Sequence, residues 1–108
     1  MALSLRGKTI LVTGASSGLG LALSRLLAKE NVNLALLARR DDVLRRTAAE
    51  LQDSGSTILP VKCDVAKREE IQAACREVKS RFGGVDIAIL NAGAAGRAGM
   101  DLFDVGAA

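Results

Sequence analysis

The stretch Thr13-Gly14-Ala15-Ser16-Ser17-Gly18-Leu19-Gly20 follows directly on a β-prone run, Thr9 to Val12. After it, Ala22, Leu23, Leu26 and Leu27 recur at helical spacing. The reading is strand, glycine turn, helix. A Cβ at Gly14, Gly18 or Gly20 would obstruct the tight turn, the approach of an external group to the backbone, or the close packing of helix on strand.

Outward from this turn the same alternation repeats. Asn33 marks a turn, and the apolar run Leu34 to Ala38 reads as a second strand. Asp41 and Asp42 are placed to start a second helix whose buried stripe is Leu44, Ala48 and Leu51. Asp53-Ser54-Gly55-Ser56 is a loop, Thr57 to Cys63 a third strand, and Lys67 to Phe82 a third helix carrying Ile71, Ala74, Cys75, Val78 and Phe82 on one face. Gly83-Gly84 stops it, and Val85 to Leu90 reads as a fourth strand that runs into Asn91-Ala92-Gly93. Such a β-α-β-α-β-α-β order predicts one α/β domain over residues 1–108, with a doubly wound parallel sheet in the order 3-2-1-4 and three helices. Right-handed crossovers place the first two helices on one face of the sheet and the third on the other. Residues 94–108, with Gly96, Gly99 and Gly106, read as a loop or tail, so the domain is expected to be incomplete at its C-terminus. The fourth strand would then be an apolar edge, open to pairing with another chain or with a second copy.

A helix that opens on a glycine turn after a strand presents free N–H groups and the positive end of its dipole to an anion. The spacing Gly-x-x-x-Gly-x-Gly behind Thr13, taken with Asn91-Ala92-Gly93 after the fourth strand, resembles the short-chain dehydrogenase/reductase family of Rossmann-fold proteins. The resemblance runs from Arg6 to about Leu102. It implies binding of NAD(H) or NADP(H), with Gly14, Ser16, Ser17, Gly18, Leu19 and Gly20 wrapping the pyrophosphate and the adjacent ribose.

In such folds an acidic residue about 20 positions beyond the glycines bonds the ribose 2′-OH, whereas an arginine accommodates a 2′-phosphate. This sequence has Arg39 and Arg40 there, and guanidinium pairs bidentately with phosphate, so the cofactor is read as NADP(H) rather than NAD(H). Either arginine could instead be a solvated surface residue. The resemblance also implies that Asp64 and Val65 touch the adenine, the carboxylate accepting from the exocyclic amine. Asp64 could equally help to start the third helix. Asn91, Ala92 and Gly93 are implied to line the cleft near the nicotinamide-side ribose, and they also read simply as a strand-ending turn.

The family's proton donor is the tyrosine of a Tyr-x-x-x-Lys segment, and the 108 residues contain no tyrosine. The cofactor-binding half is therefore legible and the catalytic half is not; no catalytic residue is assigned, and the chain alone is expected to be inactive. With 49% hydrophobic residues and 2% aromatic, the core must be aliphatic. Fifteen basic and twelve acidic residues are scattered without a basic run, which gives no support to nucleic-acid binding. Cys63 and Cys75 read as reduced structural thiols, and without histidine there is no metal set. The apolar stretch Leu19 to Leu37 is interrupted by Arg25, Lys29 and Glu30, so no membrane span is expected, and a cytoplasmic location follows from the lack of an export signal. The function expected is the NADP(H)-binding part of an oxidoreductase acting on alcohol or carbonyl substrates. The alternatives are a stand-alone dinucleotide-binding module that dimerises or docks on a partner, and a marginally folded remnant.

Overall fold

The computed structural model describes residues 4–91. Four strands, β1 (Thr9–Thr13), β2 (Asn33–Ala38), β3 (Thr57–Lys62) and β4 (Ile87–Ile89), form one parallel sheet in the order β3-β2-β1-β4. Helices α1 (Gly18–Leu27), α2 (Asp41–Leu51) and α3 (Arg68–Phe82) make the crossovers. The fold class, strand order and helix count match the sequence reading. Residues 94–108, Ala92 and Gly93 lie outside the described residues.

Alternation along the strands sorts the core into two layers, because successive side chains of a strand point to opposite faces. Ile10, Val12, Leu34, Leu36, Ala38 and Ile58 pack on Ala28, Leu44, Ala48 and Leu51, so the α1 and α2 region covers that face. Leu11, Ala35, Leu37, Leu59, Val61 and Cys63 meet Ile71, Ala74 and Val78 of α3 on the other. Right-handed crossovers require this division of two helices against one. Arg25 and Glu50 join α1 to α2 on the outside through two bonds, Nε to Oε2 at 2.7 Å and Nη2 to Oε1 at 3.1 Å. The pairing raises the arginine's pKa and lowers the glutamate's, in each case chiefly through the hydrogen bond they share.

One expectation changes at α1. Ala22 and Leu26 are exposed, Leu26 by 62%, while Leu23 and Leu27 are only half-buried. The helix turns a row of small residues inward instead: Gly20, Ser24 and, just beyond its end, Ala28, four residues apart, are buried. A Cβ on Gly20 would run into the Gly14 carbonyl oxygen. The helix start therefore lies too close to the glycine turn to admit a leucine on that side. The buried Ser24 hydroxyl donates to the Gly20 carbonyl at 2.7 Å, which satisfies it within the helix.

β4 is shorter than the run Val85 to Leu90 suggested. Its ladder to β1 covers Ile10 to Val12 against Ile87 to Ile89, and a side chain adds a bond at each flank. Asp86 Oδ2 accepts the Thr9 N–H at 2.8 Å, and the Asp86 N–H donates to the Thr9 carbonyl at 2.9 Å. At the other end the Asn91 N–H donates to Thr13 Oγ1 at 2.8 Å.

The N-terminal ends of the strands are closed by a dense set of bonds. The buried Ser56 hydroxyl donates to the Ala28 carbonyl at 2.7 Å and accepts the Val32 N–H at 2.9 Å. Gly7 N–H donates to Asn31 O at 2.9 Å, Asn33 N–H to Lys8 O at 2.8 Å and Thr57 N–H to Val32 O at 3.0 Å. Among the described residues no helix is long and apolar enough to cross a membrane.

A candidate dinucleotide site at the carboxyl ends of the strands

Because all four strands run the same way, the segments that follow them emerge at one end of the sheet. Register aligns them: Thr13 lies beside Leu37, Ala38 beside Lys62 and Val12 beside Ile89. The glycine turn, Arg39 and Arg40, Asp64 and Val65, and Asn91 are thereby gathered along one edge, as the sequence reading required.

The turn after β1 is built by two left-handed glycines, Gly14 at φ 61° and Gly18 at φ 53°. The Ala15 N–H donates to the Leu37 carbonyl at 3.2 Å and ties the turn to the end of β2. Ser17 stands at the start of α1 with extended backbone, and its side chain makes no capping bond. Ser16 is half-buried, Ser17 is exposed and Leu19 is 65% exposed. The first N–H groups of a helix have no partner within it. In α2 and α3 the protein sets its own carboxylates there, Asp41 with Asp42 and Glu69 with Glu70, whereas the first turn of α1 carries no acid. The N-terminal dipole of α1 is thus left for an external anion.

Asn91 closes this corner. Its backbone is held by Thr13, and its amide nitrogen would lie 2.6 Å from a Cβ on Gly20. The side chain therefore reaches over the gap between Gly14 and Gly20. Thr13, 1% exposed, is a positioning residue that the sequence reading noted only as a neighbour of the motif. Its hydroxyl-bearing side chain at a strand end was the available signal.

At the end of β2, Arg39 and Arg40 are both exposed, with Arg40 at the start of α2. Asp41 pairs with Arg45 at 2.9 Å and Asp42 approaches Arg46 at 3.9 Å, while Arg25 takes Glu50 and Lys67 takes Glu70. Among the described residues, neither Arg39 nor Arg40 has a carboxylate partner.

Asp64 does not cap α3, which begins at Arg68 behind Lys67. It builds the turn ahead of the helix: its Oδ1 accepts the Ala66 N–H at 3.0 Å and its carbonyl accepts the Lys67 N–H at 2.9 Å. Cys63, just before it, is 2% exposed, and burial pushes its thiol up to about 11. Burial also raises the Cys75 thiol. Neither cysteine is bonded to another, and no group of His, Cys, Asp and Glu among the described residues could hold a metal ion.

A family model for short chain dehydrogenases matches residues 8–105. The chain belongs to this family. It is 44% identical over 88 residues to farnesol dehydrogenase of Aedes aegypti, a match covering 81% of this chain and 36% of that protein. The crystal structure of L-sorbose reductase from Gluconobacter frateurii with NADPH and L-sorbose superposes with a TM-score of 0.80 at 42% identity, over 83% of this chain and 35% of the other. That of 3-ketoacyl-(acyl-carrier-protein) reductase from Brucella melitensis with NADH gives 0.72 at 35% identity, over 79% of this chain and 34% of the other. The chain thus spans about a third of the length of each of these relatives.

Proposed function

We propose that this chain is the NADP(H)-binding portion of a short-chain oxidoreductase that interconverts alcohols and carbonyl compounds. The observation that carries the reading is the acid-free start of α1, set behind the glycine turn and beside a β2 end where Arg39 and Arg40 have no carboxylate partner among the described residues. The pyrophosphate would lie against the N–H groups of Gly18, Leu19 and Gly20, with the Ser16 and Ser17 hydroxyls in reach. Gly20 supports this fit, since it leaves no room for a side chain between the turn and the helix. Arg39 would take the 2′-phosphate, with Arg40 beside it. Asp64 and Val65 would meet the adenine, and Asn91, with Ala92 and Gly93 after it, would line the nicotinamide end.

The bound cofactor would supply or accept hydride. None of the 108 residues is a tyrosine, so the proton for the carbonyl oxygen is assigned to no residue of this segment. Ile87, 37% exposed, leaves an apolar side chain on edge strand β4. We assign the pairing of that edge to further parts of the same protein, since these relatives are more than twice as long.

The test is thermal unfolding with NADPH and with NADH at matched concentrations. A ligand at 100 times its Kd stabilises a fold by about 2.7 kcal/mol. The expected outcome is a larger shift with NADPH that Arg39→Ala reduces to the NADH level. Equal shifts with the two cofactors would remove the NADP assignment, and no shift with either would remove the binding site itself.

A further inference from the structure

Resting on the reading above, we propose that Glu70 is a positioning residue for adenine recognition, locking the Asp64–Val65 turn so that the outer Asp64 oxygen and the Val65 N–H face the base. Glu70 lies in the first turn of α3, and its Oε1 accepts the backbone N–H of Asp64 at 2.9 Å. The bond reaches back six residues, from the helix to the end of β3. Lys67 Nζ stands 3.6 Å from the other carboxylate oxygen, Oε2, and steadies the side chain from the same turn.

The bonds of this turn divide its polar groups into two sets. The Asp64 N–H is taken by Glu70, Asp64 Oδ1 by the Ala66 N–H, and the Asp64 carbonyl by the Lys67 N–H. Among the described residues, Asp64 Oδ2 and the Val65 N–H have no protein partner. One acceptor and one donor on adjacent residues complement the exocyclic amine and the neighbouring ring nitrogen of adenine. Without Glu70 the Asp64 N–H would seek another acceptor, and the turn would lose its only hydrogen bond to a helical side chain among the described residues. The acceptor and donor would then no longer be held in a fixed turn.

The experiment measures Kd by calorimetry for NADPH and for its hypoxanthine analogue, in which a carbonyl replaces the exocyclic amine. Wild-type protein is expected to prefer NADPH by about tenfold, the scale of one hydrogen bond to a charged group. Glu70→Ala is expected to bring that preference close to unity, and Glu70→Gln, whose amide oxygen still accepts from the Asp64 N–H, to retain it. Lys67→Ala, which keeps the Glu70 bond, is expected to retain most of it. A purely structural loss would weaken both ligands in proportion and leave the preference intact; that result for Glu70→Ala overturns the proposal. A wild-type protein that binds both ligands equally overturns the adenine contact of Asp64 instead, and one that binds neither overturns the cofactor reading.

Discussion

The Asn91 N–H donates to Thr13 Oγ1 across 2.8 Å, and this bond joins the end of the fourth strand to the residue that opens the glycine turn. Two segments 78 positions apart are fixed against each other beside the start of α1, where the pyrophosphate is proposed to lie. Thr13→Val keeps the shape and removes the acceptor. It should cost about 1 to 2 kcal/mol by leaving a part-buried N–H without a partner. Thr13→Ser should recover most of that in urea titrations.

Gly20 and Gly18 should respond differently to alanine. At Gly20 the added Cβ meets the Gly14 carbonyl and the Asn91 amide, backbone on one side and a side chain on the other. Among the described residues a Cβ added at Gly18 meets nothing within 4 Å beyond its chain neighbours, and the obstacle there is φ 53°. Gly18→Ala should cost about 1 to 2 kcal/mol. Gly20→Ala should cost about 3 kcal/mol or more, as overpacking at a rigid contact does, and should abolish cofactor-induced stabilisation. Equal denaturation midpoints for the two variants would contradict this geometry.

Asp86 anchors the opposite end of β4. Replacing it with alanine should lower stability by about 1 kcal/mol, the scale of one hydrogen bond. The urea midpoint should fall without a change in slope. Asp86→Asn, whose amide oxygen can still accept from Thr9, should lose less.

Cys63 makes stability depend on alkaline pH. Its folded thiol is raised to about 11 from an ordinary value of 9.0, so between those values the unfolded chain releases its proton first. The folded form then holds more protons than the unfolded, and stability falls as pH rises through that window. Below pH 9 the thiol is protonated in both states and contributes no slope. Cys63→Ala should flatten the fall between pH 9 and 11 in thermal melts. At neutral pH the buried thiol should react slowly with iodoacetamide until the protein is denatured.

Strand order and the helical faces were legible because they rest on periodicity: Leu44, Ala48 and Leu51, or Ile71, Ala74 and Val78, allow one inward face only. The helix after the glycine turn was not, since its leucines outnumber its inward positions. Which side faces the sheet is set by the approach of Gly20 to Gly14, a contact between segments rather than a pattern within one. The candidate site was legible where a residue type carries its own chemistry, as at Arg39. Glu70 and Asp86 escaped because a carboxylate in a helix's first turn, or before a strand, has an ordinary local use. Their long-range partners, the backbone N–H groups of Asp64 and Thr9, appear only when the chain is folded.

The closure around Ser56 lies at the end of the sheet away from the proposed ligand, where the main-chain groups of Ala28 and Val32 are already bonded to its hydroxyl. At the ligand end, the start of α1 and the Asp64–Val65 turn keep donors and an acceptor in reserve. The fold thus separates inheritance from invention: its grammar is written at one pole and its vocabulary at the other. On the proposed reading, exchanging Arg39 for an acid should change which cofactor is preferred without disturbing the bonds around Ser56.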